Sequence, residues 1–132
     1  MAIIISTIAP WVLRILTAII MLQTLYFKFT ASDESVYIFT KLGVEPWGRI
    51  GTGIVELIAS ILILIPKTTF IGSLLAIGLM IGAIGAHLTK IGLVVKNDGG
   101  LLFTYALIVL IASLILAIVY REDGSSFLRK IF

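Results

Sequence analysis

The chain has 132 residues, of which 60% are hydrophobic and 13% charged, with a formal net charge of +3 and no cysteine. A soluble domain is about 45–50% apolar and about 25% charged. This composition, with a mean hydropathy of +1.19, is therefore typical of a membrane protein. The lack of cysteine excludes thiolate nucleophiles and iron–sulfur ligation within this chain. The basic residues stand singly at helix ends, which argues against nucleic-acid binding.

Four apolar segments follow one another along the chain, and each is long enough to cross a bilayer. They cover residues of about 8–29, 46–65, 69–92 and 101–120, and about 20 apolar residues suffice for a transmembrane helix. Ser6 or Thr7 is the expected cap of the first helix. Because short connections make successive helices antiparallel neighbours, we predict an all-α, up-down-up-down four-helix transmembrane bundle. Residues 1–132 would form one integral membrane domain.

The longest connection, residues 30–45, reads as a short surface helix over about residues 33–42. Ser32 suits its cap, and Asp33 suits the positive end of its dipole. One side of this helix is apolar and carries Val36, Ile38, Phe39 and Leu42. We expect it to lie in the membrane interface or to pack as a lid over the bundle. The charged tail after Tyr120 has an apolar end with Phe127, Leu128, Ile131 and Phe132.

Glu56 is the clearest ionisable residue within an apolar segment. It stands about ten residues into the second helix, or about 15 Å from its start at 1.5 Å per residue. A charge in the bilayer core costs about 2.5–3.5 kcal/mol on insertion scales, so such residues usually face the bundle interior. The first helix carries a similar polar stripe that ends at Lys28, and the third carries one that includes His87 and ends at Lys90. We therefore expect the three stripes to converge.

The converging stripes predict a polar pocket on the side of the first and third loops. Its candidate residues are Lys28, Arg49, Glu56, His87 and Tyr105. Glu56 and His87 would act as proton or hydrogen-bond partners, since histidine changes its charge near neutral pH. Lys28 and Arg49 would set the charge balance, and the surface helix could cover the pocket.

Each of these residues also has a purely structural interpretation. Glu56 could form an ion pair with Lys28 or Arg49 that locks the bundle, because buried charges are normally paired. His87 could be hydrogen-bonded to a backbone carbonyl. Arg14 suits a snorkelling anchor at the membrane surface. One histidine and one glutamate are too few ligands for a metal centre, so no metal is predicted.

Gly78 and Gly82 form a GxxxG spacing in the third helix. This spacing permits close helix approach, which predicts internal packing, with a homodimer interface as the alternative. The sequence holds no phosphate loop, nucleophile elbow or zinc-protease pattern. No self-sufficient enzyme activity is therefore predicted.

The sequence resembles the DoxX family of small four-helix bacterial membrane proteins, from about Arg14 to Tyr120. The resemblance rests on an early arginine in the first helix and on three segments. These are YFKF at residues 26–29, ESVYIFTKLGVEPWGRIGTGIVELIASILILIP at residues 34–66 and GAHLTKIG at residues 85–92. The Gly-x-x-Glu-Leu feature at residues 53–57 is the most recognisable part.

The resemblance implies a multi-pass protein of the bacterial inner membrane. An even number of spans puts both termini on one side, which we expect to be the cytoplasmic side. Some family members are linked to membrane oxidoreductase systems, including thiosulfate:quinone oxidoreduction. The expected function is therefore an accessory subunit of a quinone-linked redox system, with a quinone in the pocket and a membrane or peripheral redox protein as partner. The alternative is a ligand-free assembly, chaperone or anchoring protein. A transporter is a third option, although four helices in one copy offer only a small pore.

Overall fold

The computed structural model describes residues 8–131 as an all-helical chain without strands. The four long helices are α1 (Ala9–Phe29), α3 (Trp47–Leu64), α4 (Thr69–Ala86) and α5 (Leu101–Val119), and the two shorter ones are α2 (Asp33–Lys41) and α6 (Arg121–Ile131). A 3-10 turn (Pro66–Thr68) precedes α4, and a π-helical segment (His87–Ile91) extends it. Four helical spans are long and apolar enough to cross a membrane. The predicted all-α fold is therefore confirmed.

Two predicted details fall outside the part of the chain that the structure describes. The caps proposed at Ser6 and Thr7 precede the first described residue. The apolar end of the tail concerns the side chains of Phe127, Leu128, Ile131 and Phe132, which also lie outside it.

The four long helices form a ring in which each one packs against two neighbours. α1 and α4 both contact α3 and α5, and successive long helices run in opposite directions. The start of α1 and the end of α5 therefore meet, and the Arg14 guanidinium lies 5.7 Å from the centre of the Tyr120 ring. We call this end of the bundle the Pro66 end, because α3 turns into α4 there. The opposite end is the α2 end.

The short helix α2 packs across the bundle as a lid. The Ser32 hydroxyl caps it by accepting a hydrogen bond from the Ser35 N–H at 3.3 Å, which relieves one of the orphan donors of the first turn. Ser35 and Phe39 form its buried face. Gly43, with φ +79°, ends the segment in a left-handed conformation that glycine adopts at little cost. The structure thus matches the predicted lid over the bundle, which is one of the two placements expected for this helix.

Gly72, rather than Gly78 or Gly82, is the glycine on which close packing of α4 depends. A Cβ at Gly72 would lie 2.7 Å from the Ile63 nitrogen and 2.9 Å from the Ala59 oxygen, so α3 and α4 touch there backbone to backbone. A Cβ at Gly78 or Gly82 would meet nothing within 4 Å. The prediction that these two glycines serve internal packing is therefore wrong. GxxxG spacing permits close approach, but here no neighbouring helix comes near them.

Two arginines tie α1 and α3 together at opposite ends of the bundle. Arg14, near the start of α1, donates from Nε to the Ile63 carbonyl oxygen at 2.9 Å and also bonds the Leu64 carbonyl oxygen. Arg49, near the start of α3, donates to the Lys28 carbonyl oxygen in the last turn of α1. The last carbonyls of a helix lack partners within it and carry its negative dipole end. Each arginine thus caps the other helix.

Arg14 is therefore a core residue, and its predicted role as a surface anchor is wrong. Its side chain is 0% exposed, and its guanidinium stacks 3.9 Å from the centre of the Trp11 ring. Planar guanidinium groups combine such stacking with directed hydrogen bonds more readily than lysine does. A helix pattern cannot reveal the two carbonyl oxygens that make this burial favourable.

The loop between the π-helical segment and α5 is organised by Asp98. Its carboxylate accepts hydrogen bonds from the N–H groups of Val95, Gly100 and Leu102 at 2.8–3.3 Å. Desolvation acts to raise the pKa of Asp98, but these backbone hydrogen bonds outweigh it and lower the pKa below its usual 3.8. The charged form is therefore favoured in the folded loop.

We expect Arg14→Met to lower the free energy of unfolding by about 3 kcal/mol, because hydrogen bonds to charged groups contribute about 1.5–3 kcal/mol each. The Leu64 carbonyl loses the Arg14 donor, and the Ile63 carbonyl keeps only its bond from the Thr69 hydroxyl. Thermal unfolding in mild detergent measures this. Arg121→Met is the matched control, since Arg121 is exposed at the same end. Equal melting temperatures for the two variants would contradict the capping role.

We expect Asp98→Ala to destabilise the protein at pH 7 by about 1 kcal/mol, the usual cost of a lost helix-start acceptor. Because the folded pKa is lowered, the charged carboxylate stabilises the protein above its unfolded pKa of about 3.9, and this contribution fades as the pH falls through the folded value. The stability gap between wild type and variant should therefore narrow on acidification, which melting curves at pH 7, 5 and 3 test. The exposed Asp123→Ala serves as control, and a gap that widens in acid would refute the assignment.

Candidate functional site

An internal cavity of about 490 Å³ lies at the α2 end of the bundle. All four long helices contribute to its wall, and α2 closes it at the end. Apolar side chains dominate the lining, among them Met21, Phe39, Leu79, Met80 and Val109. Ligand sites typically have about 300–1,000 Å³ and an apolar wall with a few placed polar groups. The cavity has the size and lining of a site for a small lipophilic molecule.

A buried ion pair between α1 and α3 forms part of the cavity wall. Glu56 is 3% exposed, and its Oε1 lies 2.9 Å from the Lys28 ammonium nitrogen. Its Oε2 accepts a hydrogen bond from the Thr24 hydroxyl at 2.8 Å. Thr24 and Lys28 are one helical turn apart, so they share a face of α1. Both oxygens of the carboxylate are thus satisfied, as a buried charge requires.

His87 stands on the same cavity wall, at the first residue of the π-helical segment. Its Nδ1 lies 2.9 Å from the Gly92 carbonyl oxygen, and its ring meets Phe103 edge to face with the ring centres 5.6 Å apart. Because a carbonyl oxygen only accepts, Nδ1 carries the proton, and in the neutral ring Nε2 remains as an acceptor. Single π-helical turns within α-helices are frequent at functional sites.

The structure brings four of the five predicted pocket residues to one cavity. Lys28, Glu56, His87 and the half-buried Tyr105 all line it. Arg49 is the exception, and the prediction that it lies in the pocket is wrong. Its guanidinium bonds the Glu45 carboxylate at 2.8 and 3.0 Å as well as the end of α1. With these acceptors bound, Arg49 does not line the cavity.

The contacts expected from the purely structural interpretations of Glu56 and His87 are also present. Glu56 pairs with Lys28, and His87 bonds a backbone carbonyl. Neither contact removes the residue from the cavity wall. Thr24 is a site residue that the prediction omitted, although its position one turn before Lys28 on the polar stripe was a usable signal.

The polar groups on the wall equip the cavity for hydrogen bonding to a ligand. The Lys28 ammonium and the Tyr105 hydroxyl are hydrogen-bond donors, whereas the Glu56 carboxylate and Nε2 of the neutral His87 ring are hydrogen-bond acceptors. Among the residues that the structure describes, no group of three or more His, Asp or Glu side chains is arranged to hold a metal ion. The arrangement therefore favours a polar head group surrounded by apolar walls.

Comparison with known proteins supports the resemblance seen in the sequence. A family model described as the DoxX-like family matches residues 12–115. This range contains α2 to α4 and most of α1 and α5, and with them every residue of the candidate site. No curated protein and no solved structure matches the chain.

We expect unequal costs when the two halves of the ion pair are removed. Lys28→Met leaves a carboxylate buried without its cation, which should destabilise the protein by about 3 kcal/mol. Glu56→Gln should cost less, because the Lys28 side chain is 15% exposed and its ammonium can turn outward. The double variant should recover part of the Lys28→Met loss. Thermal unfolding of the four proteins gives the coupling energy.

The control for this double-mutant cycle is Lys41→Met. It removes an exposed lysine at the same end of the bundle and should leave the melting temperature unchanged. If the two single effects simply add in the double variant, the side chains are not energetically coupled.

Proposed function

The chain belongs to the DoxX-like family and is a multi-pass membrane protein, and from this premise we propose that it binds a quinone or a similar lipophilic molecule as an accessory subunit of a membrane redox system. The observation that carries the proposal is the apolar cavity with a buried ion pair and a histidine on its wall. In a membrane protein, ionisable residues facing an internal cavity are a default candidate for function.

A quinone suits the chemistry of this wall. Its carbonyl oxygens accept hydrogen bonds, which Lys28 and Tyr105 can donate, and its ring fits among apolar side chains. Reduction to the quinol takes up two electrons and two protons. The electrons would come from a membrane or peripheral redox partner, and the protons would pass through Glu56 and His87. The chain itself then binds and positions the molecule, in keeping with a sequence that holds no self-sufficient catalytic motif.

We place this subunit in the bacterial inner membrane with both termini on the cytoplasmic side. The start of α1 and the end of α5 lie at the same end of the bundle, which supports a common side for the two termini. The α2 end, with the lid and the cavity, would then lie near the opposite face of the membrane.

The proposal is tested by purification in mild detergent followed by mass spectrometry of everything that stays bound. We expect a stoichiometric lipophile with the wild type and its loss with Glu56→Gln, because the carboxylate that orders Lys28 is gone. Glu45→Gln is the matched control. It removes a carboxylate at the same end, but Glu45 pairs with Arg49 and does not line the cavity, so the lipophile should remain.

Retention of the lipophile by Glu56→Gln would refute the site. A co-purifying protein without any small molecule would support the alternative, a ligand-free assembly or anchoring role.

A further inference from the structure

We infer that the cavity opens sideways into the bilayer between α3 and α4, and that its ligand is an amphiphile. A compact polar head would dock at Lys28 and Glu56, and an extended apolar tail would leave through this opening. The inference rests on the proposed function, since both place a ligand in the same cavity. It adds the route of entry and the shape of the molecule.

The first observation is that Gly78 and Gly82 of α4 have open space beside them. A Cβ at either position would have no neighbour within 4 Å, whereas a Cβ at Gly72, on a different face of α4, would lie 2.7 Å from the α3 backbone. Both glycines are exposed and also line the cavity. A residue that is open to the outside and also lines an internal cavity marks an opening in its wall.

The opposite rim of this opening is formed by the start of α3. Trp47 lines the cavity and is 69% exposed, and Thr52, one turn nearer Glu56, also lines it. α3 and α4 are adjacent in the ring of helices. We call the gap between Trp47 and Thr52 on one side and Gly78 and Gly82 on the other the lateral opening.

The ends of the bundle offer a poorer route for an apolar chain. At the α2 end, Ser35 and Phe39 line the cavity yet are each only 8% exposed, and the exposed lining residue Glu34 carries a charge. Toward the Pro66 end, the fully buried side chains of Ile63 and Leu116 fill the core. Entry through the side of the bundle is therefore the route that suits a hydrocarbon chain.

The chemistry of the rim selects an apolar chain. An indole, a threonine and two glycines carry no charge, and the rim lies on helices that are apolar enough to cross a membrane. The two glycines, one turn apart, leave a channel without side chains along α4. The charged groups lie inside, where Glu56 is buried. A molecule that satisfies both regions has its polar group within the cavity and its hydrocarbon in the lipid.

The test compares two probes with the same head group in protein reconstituted into lipid nanodiscs. The probes are decylubiquinone and its tailless counterpart 2,3-dimethoxy-5-methyl-1,4-benzoquinone, and binding is followed by quenching of tryptophan fluorescence. In Gly82→Leu the new side chain obstructs the opening, so binding of decylubiquinone should weaken by about tenfold or more, whereas the tailless probe should be affected by less than about twofold. Gly78→Leu should behave in the same way.

Gly85→Leu is the matched control. It adds the same side chain to the same helix, a Cβ there meets nothing within 4 Å, and Gly85 does not line the cavity. It should leave the binding of both probes unchanged. Gly82→Ala adds a smaller side chain. It should weaken the binding of decylubiquinone less than Gly82→Leu does, and it should still affect decylubiquinone more than the tailless probe.

Three results would overturn the inference. Equal weakening of both probes in Gly82→Leu would mean that the leucine fills the cavity rather than its opening. Unchanged binding of decylubiquinone would mean that the tail does not pass there. A native dimer that is lost in Gly82→Leu would mean that a second copy covers the glycines. If neither probe binds the wild type, the proposed quinone function itself fails. If both probes bind the wild type and only the glycine variants behave otherwise than expected, the lateral opening fails alone.

Discussion

The reciprocal capping of α1 and α3 by two arginines is the constraint on which the rest of the structure depends. Each guanidinium reaches the last carbonyls of the antiparallel helix, Arg14 at the Pro66 end and Arg49 at the α2 end. Unpaired backbone groups are costly where water is scarce, so this arrangement fixes how far one helix slides along the other. That depth places Glu56 of α3 beside Thr24 and Lys28 of α1. A shift by one turn would separate the carboxylate from at least one of these partners, because Thr24 and Lys28 are themselves one turn apart.

The ion pair at Glu56 serves the fold and the proposed site through the same atoms. Removing water from two charges is expensive, and a well-packed apolar pair is often as stable as a buried salt bridge. A bundle that needed only stability could therefore place apolar residues at these positions. The pair lies on the wall of a cavity together with His87 and Tyr105, where a bound polar group could share its charges. Because burying these two charges costs free energy that an apolar pair would not, we assign the pair a role beyond structure.

The cavity exists because the helices pack unevenly along their length. At the Pro66 end the absence of a side chain at Gly72 brings α3 and α4 into backbone contact. At the α2 end the four long helices enclose the cavity, and α2 covers it with Phe39 on its wall. Close packing at one end thus provides rigidity, while the cavity under the lid provides volume at the other. The glycines of α4 have opposite consequences at the two ends, because only Gly72 faces a neighbouring backbone.

The sequence by itself determined the class of the protein, its four spans, the surface helix and the family, because hydropathy, helix signals and motifs are local properties of the chain. It also indicated that Lys28, Glu56 and His87 converge, since polar residues on apolar helices turn inward. Only the tertiary structure decided where Arg14 and Arg49 bind and which glycines pack. Arg14 bonds carbonyl oxygens 49 and 50 residues away in the sequence. A helical pattern predicts which face of a helix is buried, but it does not predict which residues of another helix pack against that face. The neighbours are set by the depth and packing of whole helices, which are properties of the assembled bundle.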